Sequence, residues 1–70
     1  MRQALIAQGL TTRQAEVVRH VALGGSNRDV ALRLGLSDRT VQKHLQHAFR
    51  KLGVSTRSAA AAIAWQASDG

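Results

Sequence analysis

The residue types best suited to binding chemistry lie between Ser37 and Gly53, in the stretch SDRTVQKHLQHAFRKLG. At helical spacing, this stretch has an apolar side and a polar side. The apolar side consists of Val41, Leu45, Ala48, Phe49 and Leu52, and the polar side consists of Arg39, Lys43, Gln46, His47 and Arg50. Lysine and arginine donate to guanine O6 and N7, glutamine pairs with adenine, and surplus cations neutralise phosphates. The stretch therefore predicts a helix whose outer face suits nucleic acid.

The residues before this helix are expected to hold it away from the body of the domain. Val30-Ala31, Leu34-Gly35-Leu36 and Val41 have the spacing of two helices that meet at a tight turn. Ala31 is small where the second helix crosses the first, and Gly35 can take the positive φ that ends the first helix. These features predict a helix-turn-helix, in which the second helix enters the DNA major groove and the first lies across the backbone.

Two helix starts are indicated by capping residues. Thr11 and Gln14 have the spacing of a capping box, so the first predicted helix starts at Thr11 and ends before Gly24-Gly25. The second predicted helix begins near Ser26, with Asp29 at the capping-box position. The buried side of the first helix is expected to consist of Ala15, Val18, Val21 and Ala22.

The remaining segments complete an all-α prediction. Ser37 caps the third predicted helix and Gly53 ends it, while the fourth runs from about Thr56 to Ala67. Residues 1–9 include a stretch that is either a short helix or the tail of a linker. The sequence thus predicts a four-helix domain containing a helix-turn-helix over residues 10–70, preceded by a linker or N-terminal extension over residues 1–9.

Composition limits the classes of function. Seventy residues make one small domain, and the absence of cysteine leaves apolar packing to stabilise it. Ten Lys and Arg residues against four Asp and Glu give a formal charge of +6, which favours a polyanionic partner or anionic lipid. The longest apolar run, residues 59–65, is far shorter than the ~20 residues that span a bilayer. A cytoplasmic protein is therefore expected, without a membrane span.

Three stretches resemble a known family. They are LTTRQAEVV at residues 10–18, GGSNRDVALRLGLS at residues 24–37 and TVQKHLQHAFRKLGVSTR at residues 40–57. Together they are similar, in order and without a gap, to the LuxR-type helix-turn-helix domain, which is also the output domain of the FixJ and NarL response regulators. The resemblance implies four helices, the third of which reads DNA while the fourth commonly forms a dimer on DNA.

The resemblance also implies roles for individual residues. Base-edge contacts are expected from Gln42, Lys43 and Gln46. Contacts that bind or orient near phosphates are expected from Asn27, Arg28, Thr40 and Lys51, to which the polar side of the third helix adds Arg39, His47 and Arg50. Two residues depart from the family pattern. Gln14 stands where the family usually has Glu, which keeps a weaker capping box. Gln42 stands where the family often has Lys, and this second departure predicts a different preference among DNA sites.

The fourth predicted helix is a candidate dimer contact. Alanines at positions 59–62 and 64 leave little of its circumference polar, and small exposed side chains let two helices approach closely. One side could instead pack on the first helix, with the other alanines merely favouring helix formation. Together with the family's use of this helix, the pattern predicts an interface that includes Ala62, Ala64 and Trp65.

Three alternative kinds of site receive little support. His44 and His47 have H-x-x-H spacing, but His44 falls at the edge of the apolar side, away from His47. Most serines sit where helix caps are expected, so a hydrolytic triad is disfavoured. The loop Gly24-Gly25-Ser26-Asn27 lacks the Gly-Lys-Ser/Thr ending of a P-loop, and its expected phosphate belongs to DNA. No enzyme activity, metal or cofactor is predicted.

The predicted function is sequence-specific binding of double-stranded DNA as the output module of a bacterial transcription regulator. The expected partners are DNA, a second copy of the chain and, as a further candidate, RNA polymerase. One alternative is a sigma-factor domain that reads promoters only with RNA polymerase. A different class is a cationic protein of membrane surfaces, which would not explain why the cationic face lies on the helix that follows Gly35. The chain is either an excised output domain or a stand-alone regulator.

Overall fold

The computed structural model describes the backbone of residues 1–69 and the side chains of residues 1–67. Within that range the chain forms five helices and no strand. The helices are α1 (Arg2–Ala7), α2 (Thr12–Ala22), α3 (Asn27–Leu34), α4 (Asp38–Leu52) and α5 (Arg57–Asp69). The predicted all-α class is confirmed. The predicted first to fourth helices correspond to α2 to α5, and α1 raises the number from four to five.

The helix α1 is formed from residues that were interpreted as a linker or N-terminal extension. Its Leu5 is fully buried in the core, and Arg2 forms an ion pair with Glu16 of α2 at 3.5 Å. A six-residue helix has little stability of its own, so packing against α2 and α5 must hold it in place. The sequence does not distinguish a helix from a linker here, because so short a helix depends on distant contacts rather than on a periodic pattern.

The predicted capping residues start three of the helices. The Gln14 backbone N–H donates to Thr11 Oγ1, and the Thr11 backbone N–H donates to Gln14 Oε1, both at 3.1 Å. Ser26 and Asp29 form the same reciprocal pair at the start of α3, also at 3.1 Å. At α4, Ser37 Oγ accepts from the Thr40 amide at 3.0 Å. Each cap satisfies backbone donors that a helix N-terminus would otherwise expose.

The core lies around α2, which contacts each of the other four helices. Apolar residues from all five helices and the loop before α2 are buried there: Leu5, Leu10, Ala15, Val17, Val18, Val21, Val30, Ala31, Val41, Leu45, Ala48 and Ala64. Of the buried side predicted for α2, three residues are buried and Ala22 is partly buried. The core therefore fixes the inner sides of α3 and α4 and leaves their outer sides exposed.

Candidate nucleic-acid interface

The turn between α3 and α4 forms as the sequence predicts. Gly35 ends α3 in the left-handed region, with φ +68° and ψ +35°, a conformation that a side chain makes costly. The Leu36 amide donates to the Ala31 carbonyl at 2.9 Å, which closes the end of α3. Ser37 then caps α4. Two residues of turn thus separate the end of α3 from the cap of α4, and the helix-turn-helix is confirmed.

The helix α4 has the two sides that its sequence predicts. Val41, Leu45 and Ala48 are buried, and Phe49 and Leu52 pack against the core. The exposed side chains of the opposite side are Arg39, Gln42, Lys43, Gln46, His47 and Arg50.

Four of these exposed side chains are gathered at one place. Arg39, Gln42, Lys43 and Gln46 line a shallow depression on α4, which we call the reading surface. All three predicted base-edge residues belong to it. The surface offers amide and cationic donors together, the combination that hydrogen-bonds base edges.

The residues predicted to contact phosphates differ from one another in exposure and in hydrogen bonding. Arg28 is exposed on the first turn of α3, and His47 and Arg50 are exposed on α4. Thr40 is half-buried, and its Oγ1 accepts from the Ser37 hydroxyl at 2.9 Å. Arg28 therefore lies at the start of α3, Thr40 in the first turn of α4, and His47 and Arg50 in its later turns.

Lys51 has a partner within the domain that the sequence did not predict. Its Nζ donates to Gln14 Oε1 at 3.0 Å, across 37 residues of chain. Gln14 is only 6% exposed, and the same oxygen accepts from the Thr11 amide at 3.1 Å. Lys51 therefore joins the end of α4 to the cap of α2. Because the glutamine is neutral, the ammonium charge of Lys51 is not cancelled by this contact.

Arg57, which sequence reasoning missed, contacts one of the predicted phosphate-binding residues. Its Nη1 donates to Asn27 Oδ1 and its Nη2 donates to the Gly25 carbonyl at 3.0 Å. The partners lie 30 and 32 residues earlier in the chain, so no local spacing could indicate them. The arginine at the start of α5 thereby binds the start of α3.

The predicted dimer residues do not lie on one side of α5. Ala62 is exposed and Trp65 is 46% exposed, but Ala64 is fully buried in the core. The prediction that Ala64 contacts a second copy is wrong for this reason. Trp65 also contacts its own chain, because its Nε1 donates to the Ala22 carbonyl at the end of α2 at 3.0 Å. The exposed side of α5 includes Ser58, Ala62, Trp65 and Gln66.

Burial and nearby cations influence two histidines. The pKa of His44 lies below its ordinary value of 6.5, first because of burial and then because Arg13 and His47 are nearby. Burial, followed by Arg19 and Arg33, likewise lowers the pKa of His20. Both imidazoles therefore favour the neutral form at pH 7. His44 is half-buried and His47 exposed, which agrees with their predicted placement on different sides of α4.

Three acidic residues have described side chains, and none of them lines the reading surface. Glu16 on α2 forms ion pairs with Arg2 and Arg13, each at 3.5 Å. Asp29 accepts from the Ser26 amide, and its hydrogen bonds with Ser26 lower the pKa of its carboxyl group. Asp38 lies at the first residue of α4, where a negative charge suits the helix dipole. The polar side of α4 beyond its first residue is thus free of acidic side chains.

A helix-turn-helix with an exposed cationic second helix defines a class of nucleic-acid-binding domain, and comparison with known proteins defines the family. The model of the luxR family of bacterial regulatory proteins matches residues 8–64. The chain therefore belongs to the LuxR family. Membership supports a role in DNA-binding transcription regulation. No solved structure matches the chain at a comparable level of significance.

Three relatives illustrate the similarity. A Mycobacterium tuberculosis protein named as an HTH-type transcriptional regulator is 52% identical over 48 residues, which are 69% of this chain and 5% of the relative. A nitrate/nitrite response regulator protein homolog of Haemophilus influenzae is 41% identical over 77% of this chain and 26% of its own length. A transcriptional regulatory protein NarL of M. tuberculosis is 41% identical over 90% of this chain and 29% of its own length.

The chain spans less than a third of each of these relatives. The comparisons therefore describe a domain that the relatives share. Among the described residues, no helix is both long and apolar enough to cross a membrane.

Proposed function

We propose that this chain binds double-stranded DNA sequence-specifically, with α4 in the major groove, as the output module of a bacterial transcription regulator. The observation that supports this proposal most directly is the reading surface. It lies on the second helix of a helix-turn-helix, opposite the buried side of that helix, and combines two amides with two cations. An α-helix fits the width of the major groove, so such a side can reach base edges.

Within this proposal, the contacts divide into two kinds. Gln42, Lys43 and Gln46 hydrogen-bond base edges and so determine sequence preference. Phosphate contacts or the orientation of the domain on the backbone come from Asn27, Arg28, Arg39, Thr40, His47, Arg50 and Lys51. Lys51 combines this role with its contact to Gln14, since a lysine ammonium has three hydrogens to donate.

A second copy is part of the proposal because one domain offers few base contacts. A symmetric pair joined through the exposed side of α5, with Ala62 and Trp65 at the contact, would present two α4 helices to half-sites about one DNA turn apart. The indole of Trp65 has its N–H bonded within the chain, which leaves the exposed part of its ring for an apolar contact. The expected binding site is therefore an inverted repeat.

The output-module part of the proposal is supported by the lengths and names of the relatives. The chain matches a small share of proteins whose names include transcriptional regulators and a response regulator. We infer that such a module acts in the cytoplasm, on chromosomal DNA, with RNA polymerase as a further candidate partner. A sensing domain elsewhere in the same protein would supply the signal.

Selection of bound sites from random DNA duplexes tests this function. We expect the purified chain to recover an inverted repeat, and a protein with Gln42, Lys43 and Gln46 all changed to alanine to recover no common sequence. Recovery of no sequence by the unsubstituted chain would contradict specific binding. Recovery only in the presence of RNA polymerase would support a sigma-factor role instead, and binding to anionic vesicles without sequence preference would support a membrane-surface role.

A further inference from the structure

Two side chains of α5 donate hydrogen bonds to the segment that connects α2 to α3. Trp65 Nε1 donates to the Ala22 carbonyl at the start of this segment. Arg57 donates to Gly25 in its middle and to Asn27, the first residue of α3. The helix that we propose to form the dimer therefore holds, within one copy, the turn that leads into the proposed phosphate contacts.

The geometry of Arg57 suits this bridging contact. Its guanidinium is planar and rigid, and its two Nη atoms donate to two acceptors that lie two residues apart in the chain. A lysine in the same position would have a single ammonium nitrogen and could not donate from two nitrogens held in this fixed planar arrangement. Since the Arg57 side chain is exposed to solvent, the contact should add little to overall stability. We expect the contact instead to orient Gly25 and Asn27, the two residues that Arg57 binds.

Gly25 is confined from its other side as well. Its amide donates to the His20 carbonyl at 2.9 Å, and a Cβ at this position would lie 3.0 Å from that oxygen. A larger residue would require one of these backbones to move. The Gly25 backbone is thus bonded to α2 through its N–H and to the Arg57 guanidinium through its carbonyl, one residue before the cap of α3.

The contact with Asn27 has a chemical consequence. An asparagine amide has one acceptor end and one donor end, and a guanidinium can only donate. Arg57 therefore binds the oxygen of Asn27 and leaves its Nδ2 hydrogens as the end that can contact another molecule. A phosphate oxygen can only accept. Arg57 thus selects the orientation of Asn27 that is complementary to a DNA phosphate.

We propose that Arg57 is a positioning residue for DNA binding: through its bonds to Gly25 and Asn27, it orients the Asn27 side chain and the start of α3 toward the DNA backbone. This inference rests on the proposed function. It adds a residue of α5 that acts through another residue rather than by touching DNA. It also predicts that the dimer helix and the first turn of α3 respond to each other.

The test measures the affinity of the full chain for a duplex that contains one half-site of the selected sequence. Arg57→Lys keeps the positive charge but loses the paired hydrogen bonds from the two Nη atoms. We expect it to weaken binding about tenfold, as much as Arg57→Ala does. Circular dichroism should show both variants folded. The matched control is Arg19, an exposed arginine on α2 that forms no hydrogen bond or ion pair with another described side chain. Arg19→Lys should bind like the unsubstituted chain.

A double-mutant cycle with Asn27 separates positioning from direct contact. Asn27→Ala should weaken binding, and Arg57→Ala should cost less affinity in the Asn27→Ala background than in the unsubstituted chain, because the arrangement that Arg57 supports through Asn27 is already lost there. Asn27→Asp keeps an acceptor for Arg57 but has no N–H to donate. It should therefore weaken binding, both because the N–H donor is lost and because the added carboxylate repels phosphate, while the free energy of unfolding stays the same or rises. A loss of affinity without a loss of stability would place the Asn27 side chain close to the DNA backbone.

Each contrary outcome has a distinct meaning. Recovery of affinity in Arg57→Lys would show a direct contact between this cation and a phosphate and would overturn the inference. Additive losses in the Asn27 and Arg57 cycle would overturn it as well. Failure of the unsubstituted chain to prefer any duplex would overturn the proposed function. In that case, an unchanged Asn27 side-chain amide signal in the NMR spectrum of free Arg57→Ala would separately exclude the positioning contact.

Discussion

The helices α4 and α5 differ in how their functional residues are specified. In α4, the buried and exposed sides follow helical spacing, so Val41 and Lys43 differ in exposure as the sequence predicts. In α5, alanines fall on every side of the helix, and spacing does not separate the buried Ala64 from the exposed Ala62. A local pattern can therefore locate a polar surface on a helix but cannot locate an alanine-rich contact surface.

The largest expected effect separates the two sides of α5. Ala64→Glu would place an unpaired charge in a fully buried site, and we expect it to cost more than about 3 kcal/mol of folding free energy. The total stability of 70 residues is roughly 4–10 kcal/mol, so this variant should lose a large fraction of its stability and unfold at a much lower urea concentration. Urea denaturation followed by circular dichroism measures this. A stable, fully helical Ala64→Glu protein would contradict the burial of this residue.

Ala62→Glu is the matched variant, two residues away on the exposed side. It should keep its helical circular dichroism and its affinity for a single half-site. On the full inverted repeat, two like charges would meet across the symmetric contact, at a cost on the order of 3 kcal/mol of cooperative free energy. Titration of both duplexes measures the difference. Unchanged cooperativity would exclude this side of α5 as the dimer contact, and equal losses on both duplexes would indicate damage within one copy.

Sequence reasoning predicted the parts of this fold that depend on neighbours in the chain. The caps at Thr11, Ser26 and Ser37 and the turn at Gly35 are each determined by residues within four positions, and they form as predicted. The side chains that lie on the reading surface were predicted for the same reason. Their contacts with DNA remain predictions.

The parts that escaped prediction depend on distant residues. Helix α1 exists because Leu5 enters a core built by other helices, and Lys51 and Arg57 find partners 30 or more residues away. Trp65 was predicted as an interface residue, and its bond to Ala22 was not foreseen. One sequence without its fold contains no signal for such pairs, because any of several exposed cations could have been the partner of Gln14 or Asn27.

Lys43→Ala tests whether the exposed side of α4 contains separate base-reading and phosphate-binding residues. Loss of a base-edge contact should reduce specific binding by about 1–3 kcal/mol and relax the preference at one or two base pairs. Gln46→Ala should behave similarly at other positions of the site. The control is Arg50→Ala, which removes an exposed cation outside the reading surface and should weaken all duplexes alike. Affinities across single-base variants of the selected site decide; a uniform loss in Lys43→Ala would remove this residue from base reading.

A smaller effect distinguishes two proposed phosphate contacts. Arg28→Ala should weaken every duplex, reduce the dependence of log affinity on log salt by about 1, and leave the free energy of unfolding unchanged. Lys51→Ala should change binding similarly but also destabilise the fold by about 1 kcal/mol, because it removes the donor to Gln14. Salt titrations and urea denaturation are needed together. Equal stability in the two variants would indicate that the Lys51 contact contributes nothing in solution.

The smallest expected effect is a pH dependence that arises on the inner edge of α4 rather than on its reading surface. Burial, Arg13 and His47 lower the pKa of His44 in the folded protein, so the unfolded chain binds more protons as the pH falls through 6.5. Stability should therefore be complete above that pH and decrease below it until the folded pKa is passed. His20 contributes with the same sign, because burial and two arginines lower its pKa too. Urea denaturation at pH 7.5 and pH 5.5 measures the loss, which should shrink strongly in His44→Gln combined with His20→Gln and only slightly in His47→Gln, because His47 is the smallest of the three causes that lower the pKa of His44. If the double variant keeps the full pH dependence, another group, and not these two histidines, is responsible for it.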